Sequence, residues 1–229
     1  MRTRKAIVIE PRDENRLLAA LERGLETGDF VDLRTRAFMY LLWDGALRPG
    51  LAVALNIEDI VKDAAATRIH VLEEAALRPS EATQYRPRPF LISPRARDAI
   101  ADYLKVARSD GWLTNPKRLE GPLWISTHHH GTQQRMSQRT AMQAWHTFQQ
   151  SVSGVSQEYQ LDDVVVTARV EFMRRVKGSR AAEILAEHAG ISSKWAGHYS
   201  DHLSDTSSTA RDVARDVISQ VGQKKRKQG

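Results

Sequence analysis

Apolar residues recur every three or four positions through most of this chain, and one stretch of short, alternating, proline-bounded sequence interrupts them. That rhythm restricts the fold to amphipathic helices packed around a core, with a minor sheet inserted. Leu17, Leu18, Leu21 and Leu25 mark a first helix over Asp13–Leu25, and Gly28 stops it. Asp32 is the expected N-cap of a second helix, whose Leu33, Ala37, Phe38, Leu41 and Leu42 share a face as far as Asp44-Gly45. Pro49 permits a new start, and Leu51–Leu55 reads as a short apolar helix. The period then changes. Thr67–Leu72 and Arg88–Ile92 read as strands, and prolines confine the second to an edge. Ser93-Pro94 caps a helix carrying Ala96, Ile100, Tyr103, Leu104 and Ala107. Asp110–Glu120 is a loop, Pro122–Ser126 an extended apolar piece, and His128–Gln134 a polar loop. Helical spacing returns over Ser137–Val152, with Met142, Trp145 and Phe148 apolar, then over Leu161–Val176, Arg180–His188 and Ser208–Val221. The basic tail from Gly222 is too polar to pack and is expected to be disordered. The class is mainly α with a small antiparallel β-sheet (α+β). The expected organisation is an N-terminal arm and short helix (1–30), a main domain (31–206), and a C-terminal helix with a basic tail (207–229).

Composition narrows the chemistry. With 229 residues the chain can bury a core without staples, and the absence of cysteine excludes disulfides and thiolate metal sites. No apolar run reaches the ~20 residues of a membrane span, and the N-terminus lacks a signal-like apolar region, so a cytoplasmic protein with no membrane partner is expected. The formal charge of +6 and pI of about 9.7 favour a polyanionic partner, because Lys and Arg displace counterions condensed on a phosphate backbone. There is no Walker loop, GxGxxG, HExxH or GxSxG, which disfavours nucleotide enzymes, zincins and α/β-hydrolases.

Several residues are candidates for phosphate chemistry. Arg48 follows a helix end in Gly45-Ala-Leu-Arg48, where a guanidinium is either a solvated surface group or a fork aimed at a phosphate. His188, in Ala186-Glu-His-Ala-Gly190, is a packed or capping histidine or a donor to a phosphate oxygen. Tyr199 lies in the run HYSDH, either packed with its hydroxyl satisfied or acting as a nucleophile. The consecutive His128, His129 and His130 read as an exposed loop, not a metal site, and no metal or cofactor is expected. Lys224, Lys225 and Arg226 belong to a tail that either grips DNA or merely solubilises.

Taken in order and spacing, these features resemble the catalytic domain of the tyrosine recombinase, or phage integrase, family over residues 30–205. The family's first box has the form TGLR-x-x-E-L-x-x-L-x-x-x-D-I. Gly45-Ala-Leu-Arg48 resembles its opening with one extra residue between Gly and Arg, and Leu55, Asp59 and Ile60 fall at the family's distances. Gly121-Pro-Leu-Trp-Ile-Ser126 looks like the family's GPLF-S segment. Leu161–Thr167 and Ala186-Glu-His188 match the two halves of the second box, and Tyr199 looks like the nucleophile, two residues late.

The resemblance implies that Arg48 is the first phosphate-clamping arginine, His188 the histidine of the third box, and Tyr199 the nucleophile. It also exposes substitutions. Asp162 stands at the second-box histidine, Val165 at the second arginine and Leu51 at the carboxylate, and no lysine lies between Thr67 and Ser93 where the general acid belongs. Removing one preorganised charge donor costs about 2.7–4 kcal/mol in such a barrier, and losing the general acid roughly a further 10²–10⁴-fold. Arg169, one turn beyond Val165, is a candidate substitute. The reading this implies is a catalytically degenerate domain that binds double-stranded DNA, as a transcription regulator or an accessory factor of a mobile element or plasmid. Its DNA contacts would come from Arg48, Arg86, Arg88, Arg169, Arg174, Arg175, Lys177, His188, Lys194 and the tail. The alternatives are an active divergent recombinase using Tyr199 and a protein-interaction scaffold. Family members usually carry a further helical domain that closes a clamp on DNA. With only about thirty residues before the resemblance, a homo-oligomer or a partner DNA-binding protein is expected to complete the grip.

Overall fold

The computed structural model of the protein describes residues 6–23, 29–62, 67–71, 88–115, 117–118, 120–128, 131–176, 180–181, 183–185 and 196. Among the described residues six helices dominate: α1 (Pro11–Arg23), α2 (Phe30–Gly45), α3 (Pro49–Ala54), α4 (Pro94–Ser109), α5 (Gln138–Ser151) and α6 (Leu161–Val176). Backbone pairing joins β1 (Ile60–Lys62), β2 (Thr67–Val71) and β3 (Arg88–Leu91) antiparallel in the order β1-β2-β3, with Ile60 opposite Ile69 and Val71 opposite Arg88. No described helix is long and apolar enough to cross a membrane.

α2 is the central element. It buries Leu33, Ala37, Phe38, Met39, Leu41 and Leu42 among α4, α5 and α6. Its N-cap is Asp29, whose carboxylate accepts from the Val31 N–H at 2.8 Å, not Asp32, which lies in the first turn and complements the helix dipole. The expected Ser93 cap is present, accepting from the Ala96 N–H, and Ser137 caps α5 in the same way, accepting from the Thr140 N–H. Aromatic rings fill the middle. Phe30 stacks on Trp112 at 4.3 Å, and Phe38 meets Trp124 edge-on at 5.2 Å. The indole N–H groups of Trp124 and Trp145 donate to the Ala52 and Tyr159 carbonyls, so neither ring buries an unpaired donor. Met142, expected on the apolar face of α5, is instead 45 % exposed; Ala141, Trp145 and Gln149 form that face.

Two stitches fix the ends of the core. The backbone N–H groups of Ile7 and Ile9 donate to the Asp163 carboxylate (2.7 Å) and the Thr167 hydroxyl (2.8 Å) of α6. Ile9, Leu17 and Leu21 belong to the same buried cluster as α2, so the N-terminal arm and α1 contribute directly to the core of the main domain. Arg135 seals the end of α3: its Nη1 donates to the Val53, Ala54 and Leu55 carbonyls and its Nη2 to Asn56 Oδ1, satisfying carbonyls that a helix terminus leaves orphaned.

Candidate nucleic-acid interface

Arg48 owes its position to a strained turn. α2 ends at Ala46, which adopts the left-handed conformation (φ 48°, ψ 28°) with its N–H bonded to the Leu42 carbonyl. That conformation is open to glycine but costs a residue with a Cβ roughly 1–2 kcal/mol. The residue two before Arg48 therefore does the turning, where the TGLR pattern has its glycine. Gly45 closes α2, and Ala46, not Gly45, takes the left-handed position before Leu47-Arg48. Leu47 is buried, and Arg48 is extended (φ −61°, ψ 141°), as a residue before proline must be, with Pro49 opening α3. Arg48 is half-buried.

α6 supplies the opposite wall. Its first turn divides two carboxylates between two tasks. Asp163 is buried and accepts from the Gln160 and Ile7 N–H groups. Asp162 is exposed at its edge, and its pKa is raised, first by desolvation against the surrounding protein and then by repulsion from Asp163, while Arg169 and Arg48 pull it back. Arg48, Asp162 and Arg169 thus share one corner. The two other residues the comparison singled out lie in the packing: Val165 is 3 % and Leu51 5 % exposed. Neither has a side-chain N–H to offer a phosphate.

Arg169 is 7 % exposed, and its Nε and Nη2 donate to the Ala46 carbonyl at 3.2 and 3.1 Å. It was expected to meet a phosphate. Its Nε and Nη2 hold the left-handed turn that precedes Arg48 against α6. Arg174 is half-buried and hydrogen-bonded to Glu171, three residues earlier on α6. Arg175 is exposed. Arg88 lies on β3 opposite Val71. Arg86, Lys177, His188, Lys194, Tyr199, Lys224, Lys225 and Arg226 lie outside the described residues, as do His129 and His130. His128 is exposed beside the Ser126 hydroxyl, and no group of potential metal ligands occurs among the described residues.

Sequence reasoning missed the buried Arg34 and the half-buried Arg36 and Arg135. The available signal was position: Arg34 and Arg36 lie within the apolar run of α2, and Arg135 directly precedes the apolar Met136.

With this geometry in view, the solved structures most informative for comparison are recombinases. The chain is similar to the XerH site-specific recombinase bound to palindromic difH substrate, a post-cleavage complex, with TM-score 0.65, 12 % identity, and coverage of 90 % of this chain and 53 % of that one. It is similar to XerA recombinase with TM-score 0.62, 15 % identity, and coverage of 92 % and 66 %. A lambda integrase dimer bound to a COC' core site gives TM-score 0.54, 14 % identity, and coverage of 87 % and 49 %. The fold is that of the tyrosine recombinases. The chain spans about half the length of XerH and lambda integrase. No family profile and no curated protein sequence matches it.

Proposed function

We propose that this chain binds double-stranded DNA through a tyrosine-recombinase-type domain whose cleavage chemistry has been lost. The observation that carries the reading is the corner at Arg48. Transfer of a phosphodiester to a phenol places growing negative charge on the non-bridging oxygens, and a preorganised pair of cations stabilises it. Arg48 is one such cation. Val165 packs in the core where the resemblance puts the second, Arg169 gives its Nε and Nη2 to a backbone carbonyl, and Asp162 adds a carboxylate beside any phosphate drawn to Arg48. Ground-state attraction survives that arrangement, whereas extra stabilisation of the transition state does not.

DNA is the partner in the XerH and lambda integrase complexes, and the basic balance of this chain suits the same polyanion. The paired backbone of β1–β3 forms the small antiparallel sheet of the domain and, with Arg88 on its edge strand, a second contact surface for the duplex. The role is that of a transcription regulator or an accessory factor of a mobile element or plasmid, working as a homo-oligomer or beside another DNA-binding protein. The test is duplex binding across a salt series. Affinity should fall steeply with salt, and Arg48→Ala should weaken binding to all sequences alike, lowering the slope of log K against log salt by about 0.9, one phosphate contact. Absence of duplex binding even at low ionic strength would favour a protein-interaction scaffold.

A further inference from the structure

Arg34 and Arg36 lie near the start of α2, with Arg34 about 17 Å along the helix axis from its end at Gly45. Arg34 is 2 % exposed. Its Nη1 donates to the Ile125 carbonyl, its guanidinium sits 5.7 Å from the centre of the Phe30 ring, and its Nε is buried without a partner. Arg36 lies over Tyr40 at 5.4 Å, with its Nε and Nη1 likewise buried and unpartnered. Among the described residues neither arginine makes an ion pair. Burial pulls the Arg34 pKa below the usual arginine range, as expected of a cation short of counter-charge.

Both arginines line one cavity of about 450 Å³, between the end of α1, the start of α2 and α5. Its wall is mainly apolar, with Leu21, Val31, Ala144 and Phe148. His128 adds a potential donor, and Asp32 is the carboxylate on the lining. A volume in the range ~300–1,000 Å³, apolar walls and a few convergent polar groups describe a small-molecule site. Three buried guanidinium nitrogens have no acceptor, a penalty that an oxyanion relieves through charge-assisted bonds. An apolar wall at the far end of α2 from Arg48 suits a small molecule and not the backbone of a duplex.

We propose that this cavity binds a small organic anion, a carboxylate or phosphate on an apolar body, with Arg34 and Arg36 as its counter-charges. The oxyanion meets the Arg36 guanidinium, which turns partly off the Tyr40 ring to present its buried edge, with the buried charge of Arg34 behind it. The apolar body lies along Leu21, Val31, Ala144 and Phe148.

The test uses the full chain and four probes, phenyl phosphate, phenylacetate, inorganic phosphate and benzyl alcohol, followed by thermal shift and calorimetry. One of the two aryl anions is expected to raise Tm saturably, and which one does so separates phosphate from carboxylate. Inorganic phosphate should bind at least tenfold more weakly than the favoured aryl anion, and benzyl alcohol should not saturate. Arg36→Met removes the more exposed cation, and Ala144→Phe fills the apolar end. Each should weaken binding at least tenfold with an unchanged helical circular dichroism spectrum. No saturable response to either aryl anion, equal binding of benzyl alcohol, or unaltered binding by both folded variants would overturn the proposal. No duplex enters the assay, so the result is independent of the DNA-binding reading.

Discussion

At the C-terminal end of α2, Arg169 gives two N–H groups to the Ala46 carbonyl and Arg48 shares its corner with Asp162; at the N-terminal end, Arg34 and Arg36 keep three buried nitrogens without an acceptor. One helix therefore carries arginine in two electrostatic conditions. Where the positive charge is matched within the protein, arginine is structural and a phosphate finds one guanidinium and an opposing carboxylate. Where it is unmatched, an external anion has free energy to gain. Counting basic residues in a recombinase-like sequence does not distinguish these conditions; the partners of each guanidinium do.

The largest effect that tests this contrast is on Arg169. Arg169→Ala leaves the Ala46 carbonyl buried without its charged donor and should cost about 2–3 kcal/mol. For a domain of this size that lowers Tm by roughly 4–12 °C. Arg169→Lys should recover part of the loss, because an ammonium reaches one oxygen without the planar fork. If Arg169→Ala keeps its stability and merely weakens DNA binding, Arg169 belongs to the interface and the contrast fails.

Asp162 gives the next effect. Its raised pKa means that it takes up a proton at higher pH than an ordinary aspartate. As pH falls through that raised value the carboxylate becomes neutral, its repulsion of a neighbouring phosphate disappears, and duplex binding should tighten. Folding stability moves the same way: the fold disfavours the ionised form, so this group's unfavourable contribution declines as pH falls from above the folded pKa towards the ordinary value of 3.8. Asp162→Asn should bind duplex about threefold more tightly at neutral pH, the scale of a solvent-screened charge pair, and should lose that part of the pH dependence. Titration of wild type and variant by fluorescence anisotropy decides it, and parallel pH profiles would separate Asp162 from the phosphate path.

The smallest effect is at Ala46. Ala46→Gly relieves the left-handed strain but removes a buried methyl packed near Ala168 and Met173 and loosens the unfolded chain. The terms oppose each other, so chemical denaturation should show a change within about 0.5 kcal/mol. A loss of several kcal/mol would mean that the methyl, not the turn, fixes the end of α2.

The helices were legible in the sequence because their apolar spacing and caps are local. Ser93, Ser137 and the Leu161–Val176 repeat each carry their own signal. Asp29 was not recognised as the α2 cap because Asp32, three residues on, offers the same chemistry, and only backbone conformation separates them. β1 went unseen because its three residues are too few to show a period. At the candidate site, the apolar character of Val165, where the resemblance puts a second cation, was readable, and the side chain is buried. The fate of Arg169 was not, since its partner is a carbonyl 123 positions away in the chain. The pairing of Arg34 and Arg36 with one cavity depends on α1, α2 and α5 meeting, which no local pattern encodes.

The central claim is that the corner around Arg48 attracts a phosphate without making it reactive. It is tested most directly by offering the full chain a nicked suicide duplex carrying the site it binds best, then denaturing the mixture. The account predicts a salt-sensitive complex before denaturation and no covalent species after it. A phosphotyrosyl adduct that vanishes in Tyr199→Phe would contradict it.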